Sequence, residues 1–352
     1  MASLRLSVLD LVPVRTGQTT ADAVKASIRL ARVADENGLH RLWIAEHHNM
    51  PAVAATNPPV LISLLAGATQ RLRIGSGGVM LPNHAPLVVA EQFALLEAAY
   101  PGRIDLGIGR APGSDPVTNH VLRHGGPVNA EEAVAQFEGN VENLIMMMDP
   151  GGVGVAVQGR EYGLRATPAA VSSPPVWLLG SSDYSARLAA KTGLPYVFAH
   201  HFAGRGTAEA LALYRDGFTP AAPGDQPQTF LTVNAVVADT AEEAEALALP
   251  YQQQMLALRS GQPMEPIRLV EEAEEVSVPD AQRPLLDSMR ESWVIGDPAS
   301  AAAQLTELAE RFDVDEVMVH PVAGARRGTD PAVTPTRERT LQLLARELLN
   351  AG

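Results

Sequence analysis

The chain has 352 residues, 46% apolar and 19% charged, which supplies a large core and rules out intrinsic disorder. Lys and Arg number 27 against 40 Asp and Glu, a net charge of −13 that makes nucleic acid and anionic membrane poor partners. Cysteine is absent, which excludes disulfides, thiolate metal sites and a cysteine nucleophile, and fits a reducing, cytoplasmic setting.

The apolar stretch Leu4–Val14 is broken by Arg5, Asp10 and Pro13, too short for a signal peptide or a membrane span. Within it, 4–12 reads as the first strand. A helix follows over 21–37, where Val24, Ile28 and Ala31 recur at helical spacing and Gly38 is the breaker. Further strands are expected at 41–46, 71–80, 103–109, 175–180, 195–199, 230–238 and 315–320. Helices are expected at 59–69, 85–99, 130–148, 183–192, 206–217, 240–258, 298–312 and 335–349. Strands separated by helices need parallel crossover connections. Eight such units fit a TIM (β/α)8 barrel, one domain over 1–352, better than an open doubly wound sheet. Two stretches break the rhythm. Residues 149–174 are Gly- and Pro-rich; residues 251–297 follow strand seven and its helix, carry Glu271, Glu272, Glu274 and Glu275, and form a candidate lid.

In a barrel, chemistry sits at the carboxyl ends of the strands. Strand two ends in Glu46-His47-His48-Asn49, strand three in Gly75-Ser76-Gly77-Gly78, and strand four in Gly107-Ile108-Gly109-Arg110-Ala111-Pro112-Gly113. Strand five ends in Gly180-Ser181-Ser182-Asp183-Tyr184-Ser185, and strand six in His200-His201. Gly180–Ser185 opens a helix, and two readings stay open: an anion site built from helix amides and hydroxyls, or simple N-capping. Arg110 could serve the same anion or a salt bridge. Glycines at the strand ends either admit a ligand ring or mark strand bends. Neighbouring residues on a strand face opposite sides, so at most one of His47 and His48 points into the barrel mouth if the strand continues that far, as a proton carrier. A metal-dependent hydrolase using His47, His48, His200 or His201 is the rival reading, but strand eight ends in Val319-His320-Pro321 without a carboxylate ligand. No P-loop, nucleophile elbow or His-Glu-x-x-His occurs.

Several segments together carry a family likeness: SVLDLVPV (7–14), RLWIAEHHNM (41–50), RLRIGSGGVMLPNHAPLVVAEQF (71–93), PGRIDLGIGRAPGSD (101–115), VWLLGSSDYSARLAAKTGLPYVFAHHF (176–202) and DEVMVH (315–320). In this order they resemble the bacterial luciferase-like flavin-dependent monooxygenases, in an uncharacterised luciferase-like branch, with 149–174 and 251–290 least alike. The resemblance implies a TIM barrel whose hydrophobic pocket holds reduced FMN; the flavin adds O2 at C4a and the hydroperoxide oxygenates a small organic substrate. It implies proton transfer by His47, with Glu46 and His48 completing that motif, and a non-proline cis peptide at Gly77-Gly78 beneath the isoalloxazine. Arg110, Ser182 and Ser185 are then phosphate ligands, with Gly180, Ser181 and Tyr184 beside them. Ile44–His48 looks like the FMN-using branch rather than the deazaflavin one. With no NAD(P)H module, reduced flavin is expected from a separate flavin reductase, and the likeness further implies a homodimer through outer helices. A non-catalytic flavin-binding protein is the alternative within the superfamily.

Overall fold

The structure, a computed structural model, describes residues 4–111, 115–123, 132, 135–149, 151–168 and 171–349. Eight parallel strands form its centre: β1 (Arg5–Asp10), β2 (Arg41–Ile44), β3 (Arg73–Ser76), β4 (Ile104–Gly109), β5 (Val176–Gly180), β6 (Tyr196–Phe198), β7 (Thr229–Val237) and β8 (Glu316–Pro321). Each pairs with the next, and β8 pairs back to β1 with Val317 opposite Leu6, so the sheet closes into a TIM barrel. The expected strand over 71–80 divides into β3 and a two-residue strand, Val79–Met80, on either side of a cis peptide at Gly77-Gly78.

The longer helices are α1 (Thr20–Glu36), α2 (Pro58–Ala68), α3 (Pro86–Ala99), α4 (Phe137–Met148), α5 (Asp183–Thr192), α6 (Thr207–Asp216), α7 (Ala241–Arg259), α8 (Pro298–Phe312) and α9 (Pro335–Leu349). Local chemistry fixes their ends. Thr19 and Asp22 form a capping box at the start of α1, and Gly38, at φ +74°, turns the chain after its end. The start of the helix expected over 130–148 lies outside the described residues, as do Pro112 and Gly113. No helix among the described residues is long and apolar enough to cross a membrane.

The insertions differ from expectation in one respect each. α7 does not cover β7 from outside; α8 takes that place, packing against α6 and α9. α7 instead joins the strand Val294–Gly296 and the short helices Val270–Glu274 and Arg283–Arg290 over the barrel mouth. The second insertion therefore starts with α7 at Ala241, ten residues before the expected 251. Periodicity reports that a helix buries one face; it does not say against what. Residues 153–164 form an exposed antiparallel hairpin, Val153–Val157 with Arg160–Leu164, away from the barrel mouth.

Inside the barrel, the lower layers are closed. Leu9, Trp43, Trp177, Val197, Phe230 and Met318 pack together, with Trp43 and Phe230 ring centroids 5.1 Å apart. Beneath them Arg41 lies 4.9 Å from the Trp177 ring and donates to Asp105 (2.9 Å) and Glu316 (2.8 Å). Asp105 also accepts from the Trp43 indole at 3.0 Å and from Arg73, so every one of these buried charges has a partner.

Candidate active site

The carboxyl ends of the strands open onto a cavity of about 400 Å³, a size suited to small ligands. A wider cleft of about 970 Å³ lies at the opposite ends of the strands, but its buried charges, Arg41 and Glu316, already pair with each other. The upper cavity is different. Its walls are mainly aliphatic, aromatic and methionine side chains, and among the described residues Arg110 is the one charged residue lining it.

Beyond β2 the chain places three candidate residues on two sides of a wall. His47 lines the cavity, while Glu46 is fully buried behind it. The Glu46 carboxylate accepts from His84 Nε2 (2.7 Å), His48 Nε2 (2.8 Å) and the Met80 amide (2.9 Å). Burial alone pushes its pKa up; the hydrogen bonds from His84, His48 and Met80 outweigh that and hold the carboxyl below its usual range. Glu46 thus ties the end of β2 to the segment after the cis peptide, and His48 is part of that tie, off the cavity surface. His47 Nδ1 is buried with no hydrogen-bond partner among the described residues. Burial lowers the His47 pKa to about 4, against the opposing pull of Glu46, so the ring is neutral at physiological pH.

Gly77 and Gly78 line the same cavity. A Cβ at Gly78 would stand 2.7 Å from the Gly107 carbonyl oxygen, and one at Gly75 would stand 2.6 Å from Asp105 Cβ. Neither a ligand ring nor a strand bend accounts for glycine at 75 and 78; close packing of β3 on β4 requires it there.

At the other end, Gly180, Ser181, Ser182 and Ser185 line the cavity where β5 turns into α5. Ser182 occupies the N-cap position yet makes no capping hydrogen bond, so the capping reading fails and the first amides of α5 are left unclaimed by it. The Arg110 guanidinium stacks 3.9 Å above the Tyr184 ring and has no carboxylate partner among the described residues. Tyr184 itself stands behind Arg110 rather than on the cavity wall. Among the described residues, a cation without a counter-ion, three hydroxyls and a helix N-terminus without a side-chain cap converge there, a donor set for a dianion.

His200 and His201 separate. His200 is buried outside the cavity, with Nδ1 2.7 Å from Thr207 Oγ1 and its ring 5.5 Å from Phe312. His201 lines the cavity. Burial, with His200 and His47 nearby, lowers its pKa to about 3. Among the described residues no three His, Cys, Asp or Glu side chains are placed to hold a metal ion, so the histidines named for the metal rival do not converge.

Other lining residues escaped the sequence reading: Thr232 and Asn234 on β7, and Tyr251 on α7. A signal for the first two was present. Phe230, Thr232 and Asn234 alternate along an otherwise apolar strand, and polar residues at that spacing share one face. Tyr251 falls in the expected lid insertion, 251–297, but no sequence signal singled it out.

Comparison with known proteins agrees with the barrel fold. The family model of the luciferase-like monooxygenases matches residues 4–315. An Escherichia coli (strain K12) protein named luciferase-like monooxygenase is 40% identical over 318 residues, 90% of this chain and 91% of its own. The crystal structure of apo-MsnO8 superposes with a TM-score of 0.83 at 32% identity, covering 98% of this chain and 99% of that one. The oxygenating constituent of 3,6-diketocamphane monooxygenase from Pseudomonas putida, solved in complex with FMN, shares the fold with a TM-score of 0.71 at 17% identity, covering 99% of each chain. With its barrel closed, its mouth capped by the 241–297 insertion and nearly its whole length matched, the chain belongs to the luciferase-like monooxygenase family.

Proposed function

We propose that the protein is a flavin-dependent monooxygenase that uses reduced FMN and O2 to oxidise a small organic substrate. The observation that carries this reading is the anion end of the cavity, where Arg110, without a carboxylate partner among the described residues, meets the start of α5, which has no side-chain cap. A flavin mononucleotide ends in one phosphate, and the residues present fit it. Arg110 supplies the permanent charge and Tyr184 fixes its plane. The hydroxyls of Ser182 and Ser185, with Ser181 beside them and the α5 amides, supply further donors.

Gly77, Gly78 and His47 line the same cavity and would hold the ring system of such a cofactor. When bound in its reduced form, FMN supplies the electrons that activate O2. The protein's share is positioning, exclusion of water and proton movement. His47 fits the last role: a neutral imidazole can accept a proton on one nitrogen while donating from the other, and its unpartnered Nδ1 leaves it uncommitted. Glu46 and His48 hold the wall that carries it. α7 and the segment after it roof the site.

Reduced flavin comes, on this reading, from a separate reductase; that the Pseudomonas putida protein is the oxygenating constituent of its monooxygenase supports such a division of labour. Self-association as a homodimer is supported by α2 and α3, where Val60, Leu64, Val88 and Leu95 project apolar side chains into solvent.

An FMN titration tests the central reading. Wild-type protein should bind FMN, and Arg110→Ala should weaken binding about tenfold or more, since a charge-assisted contact contributes about 1.5–3 kcal/mol. Equal affinity in the variant would take the phosphate away from Arg110.

A further inference from the structure

The cavity has a second polar point, remote from the anion end. His201 Nδ1 lies 2.9 Å from Thr232 Oγ1, and that hydroxyl spends its single proton on the Phe198 carbonyl at 3.1 Å. The ring must therefore donate from Nδ1, which leaves Nε2 with an open lone pair. Nε2 has no hydrogen-bond partner among the described residues, and neither has the Tyr251 hydroxyl, although both side chains line the cavity.

The surroundings hold this pair rigidly. The Asn234 amide donates to the His201 carbonyl at 2.7 Å and accepts from His320 Nδ1 at 3.0 Å. The His320 ring stands edge-on to both partners, 6.2 Å from His201 and 5.3 Å from Tyr251. Burial keeps the two imidazoles uncharged, with pKa values pushed below that of a free histidine. The wall is otherwise largely apolar, with Leu11, Met50, Met255, Leu258 and Met264, and among the described residues no carboxylate or lysine lines the cavity.

We propose that His201 Nε2 and the Tyr251 hydroxyl form the recognition point for the substrate, selecting an uncharged, largely apolar molecule through one group that both donates and accepts, such as an alcohol or a secondary amide. His201 Nε2 accepts that group's proton, and Tyr251 donates to its oxygen. A carboxylate or ammonium would enter with no counter-ion at this end. The inference rests on reading the rest of the cavity as the flavin site, and it adds a specificity role to residues outside that site.

Octan-1-ol and its isomer heptyl methyl ether differ in the donor alone and serve as probes, with octanoate as the charged control. Binding is followed by tryptophan fluorescence, since Trp43 lines the cavity, in FMN-saturated and in FMN-free protein. Wild-type protein should prefer the alcohol about tenfold over the ether, one hydrogen bond's share, and FMN-saturated protein should bind octanoate at least as poorly as the ether. His201→Leu should abolish the preference without weakening ether binding, whereas His201→Gln, whose amide oxygen reaches the Nε2 position, should retain most of it. Equal binding of alcohol and ether, no alcohol binding, or an undiminished preference in His201→Leu overturns the proposal. Failure of FMN to bind while the alcohol preference persists would instead sink the flavin reading and leave this one standing.

Discussion

His47 and His201 face one cavity as neutral rings, and they differ in what their nitrogens touch. His201 is locked in a single tautomer by Thr232, whereas the His47 ring has no hydrogen bond among the described residues to fix its proton. A ring free to exchange tautomers suits proton transfer; a ring with a fixed tautomer suits recognition. His47→Ala should therefore keep FMN affinity but lose about 10²- to 10⁴-fold in oxygen-dependent turnover, the usual contribution of a positioned acid or base. Flavin titration beside a steady-state assay separates the two, and unchanged turnover would make His47 a structural residue. At this scale the sequence allowed at most one inward histidine of His47 and His48, and since β2 ends at Ile44 strand alternation did not decide which. It could not say that Glu46 would be enclosed by His48, His84 and the Met80 amide, because His84 arrives from 38 positions away.

Element by element, the strands were legible because all eight are short aliphatic runs bounded by glycine, proline or charge, and α5, α8 and α9 lie at their expected bounds. α7 was found with a one-residue shift but placed in the wrong layer. Its sequence held a clue. Gln252, Gln253 and Gln254 are buried in mid-helix, and Gln253 and Gln254 donate to the carbonyls of Ala273 (2.8 Å) and Glu265 (2.9 Å) in the segment that follows. Glutamines in that position reach irregular backbone, which a barrel's outer face does not offer. The charged floor was wholly illegible, since Arg41, Asp105 and Glu316 meet only once the barrel closes. Asp105→Asn should destabilise the fold by about 3–5 kcal/mol, measured by urea denaturation, because it leaves Arg41 and Arg73 short of a buried counter-charge. A loss under about 1 kcal/mol would show that water solvates that layer.

For the molecule as a whole, four buried or cavity-lining histidines carry folded pKa values below the free 6.5: His47 and His200 at about 4, His201 at about 3, and His320 well depressed. Below pH 6.5 the unfolded chain takes up protons that the folded chain refuses. Stability from these groups is complete above pH 6.5 and falls as the pH drops toward 4, by about 1.4 kcal/mol per pH unit for each ring. The urea midpoint should decline steadily from pH 7 to pH 5, more gently in His201→Gln. A midpoint that is level over that interval would mean that these rings are hydrated and titrate normally.

The aromatic and ionic layers beneath the cavity carry one more implication. Among the described residues, Trp43, Trp177 and Phe230 pack over Arg41 and close the barrel below the cavity, so a ligand reaches it from the roofed mouth. Two guests sharing a blind pocket must queue: the deeper one arrives first and departs last. An excess of the shallower guest then detains the deeper one, and catalysis slows at high concentration of whichever molecule sits nearer the threshold.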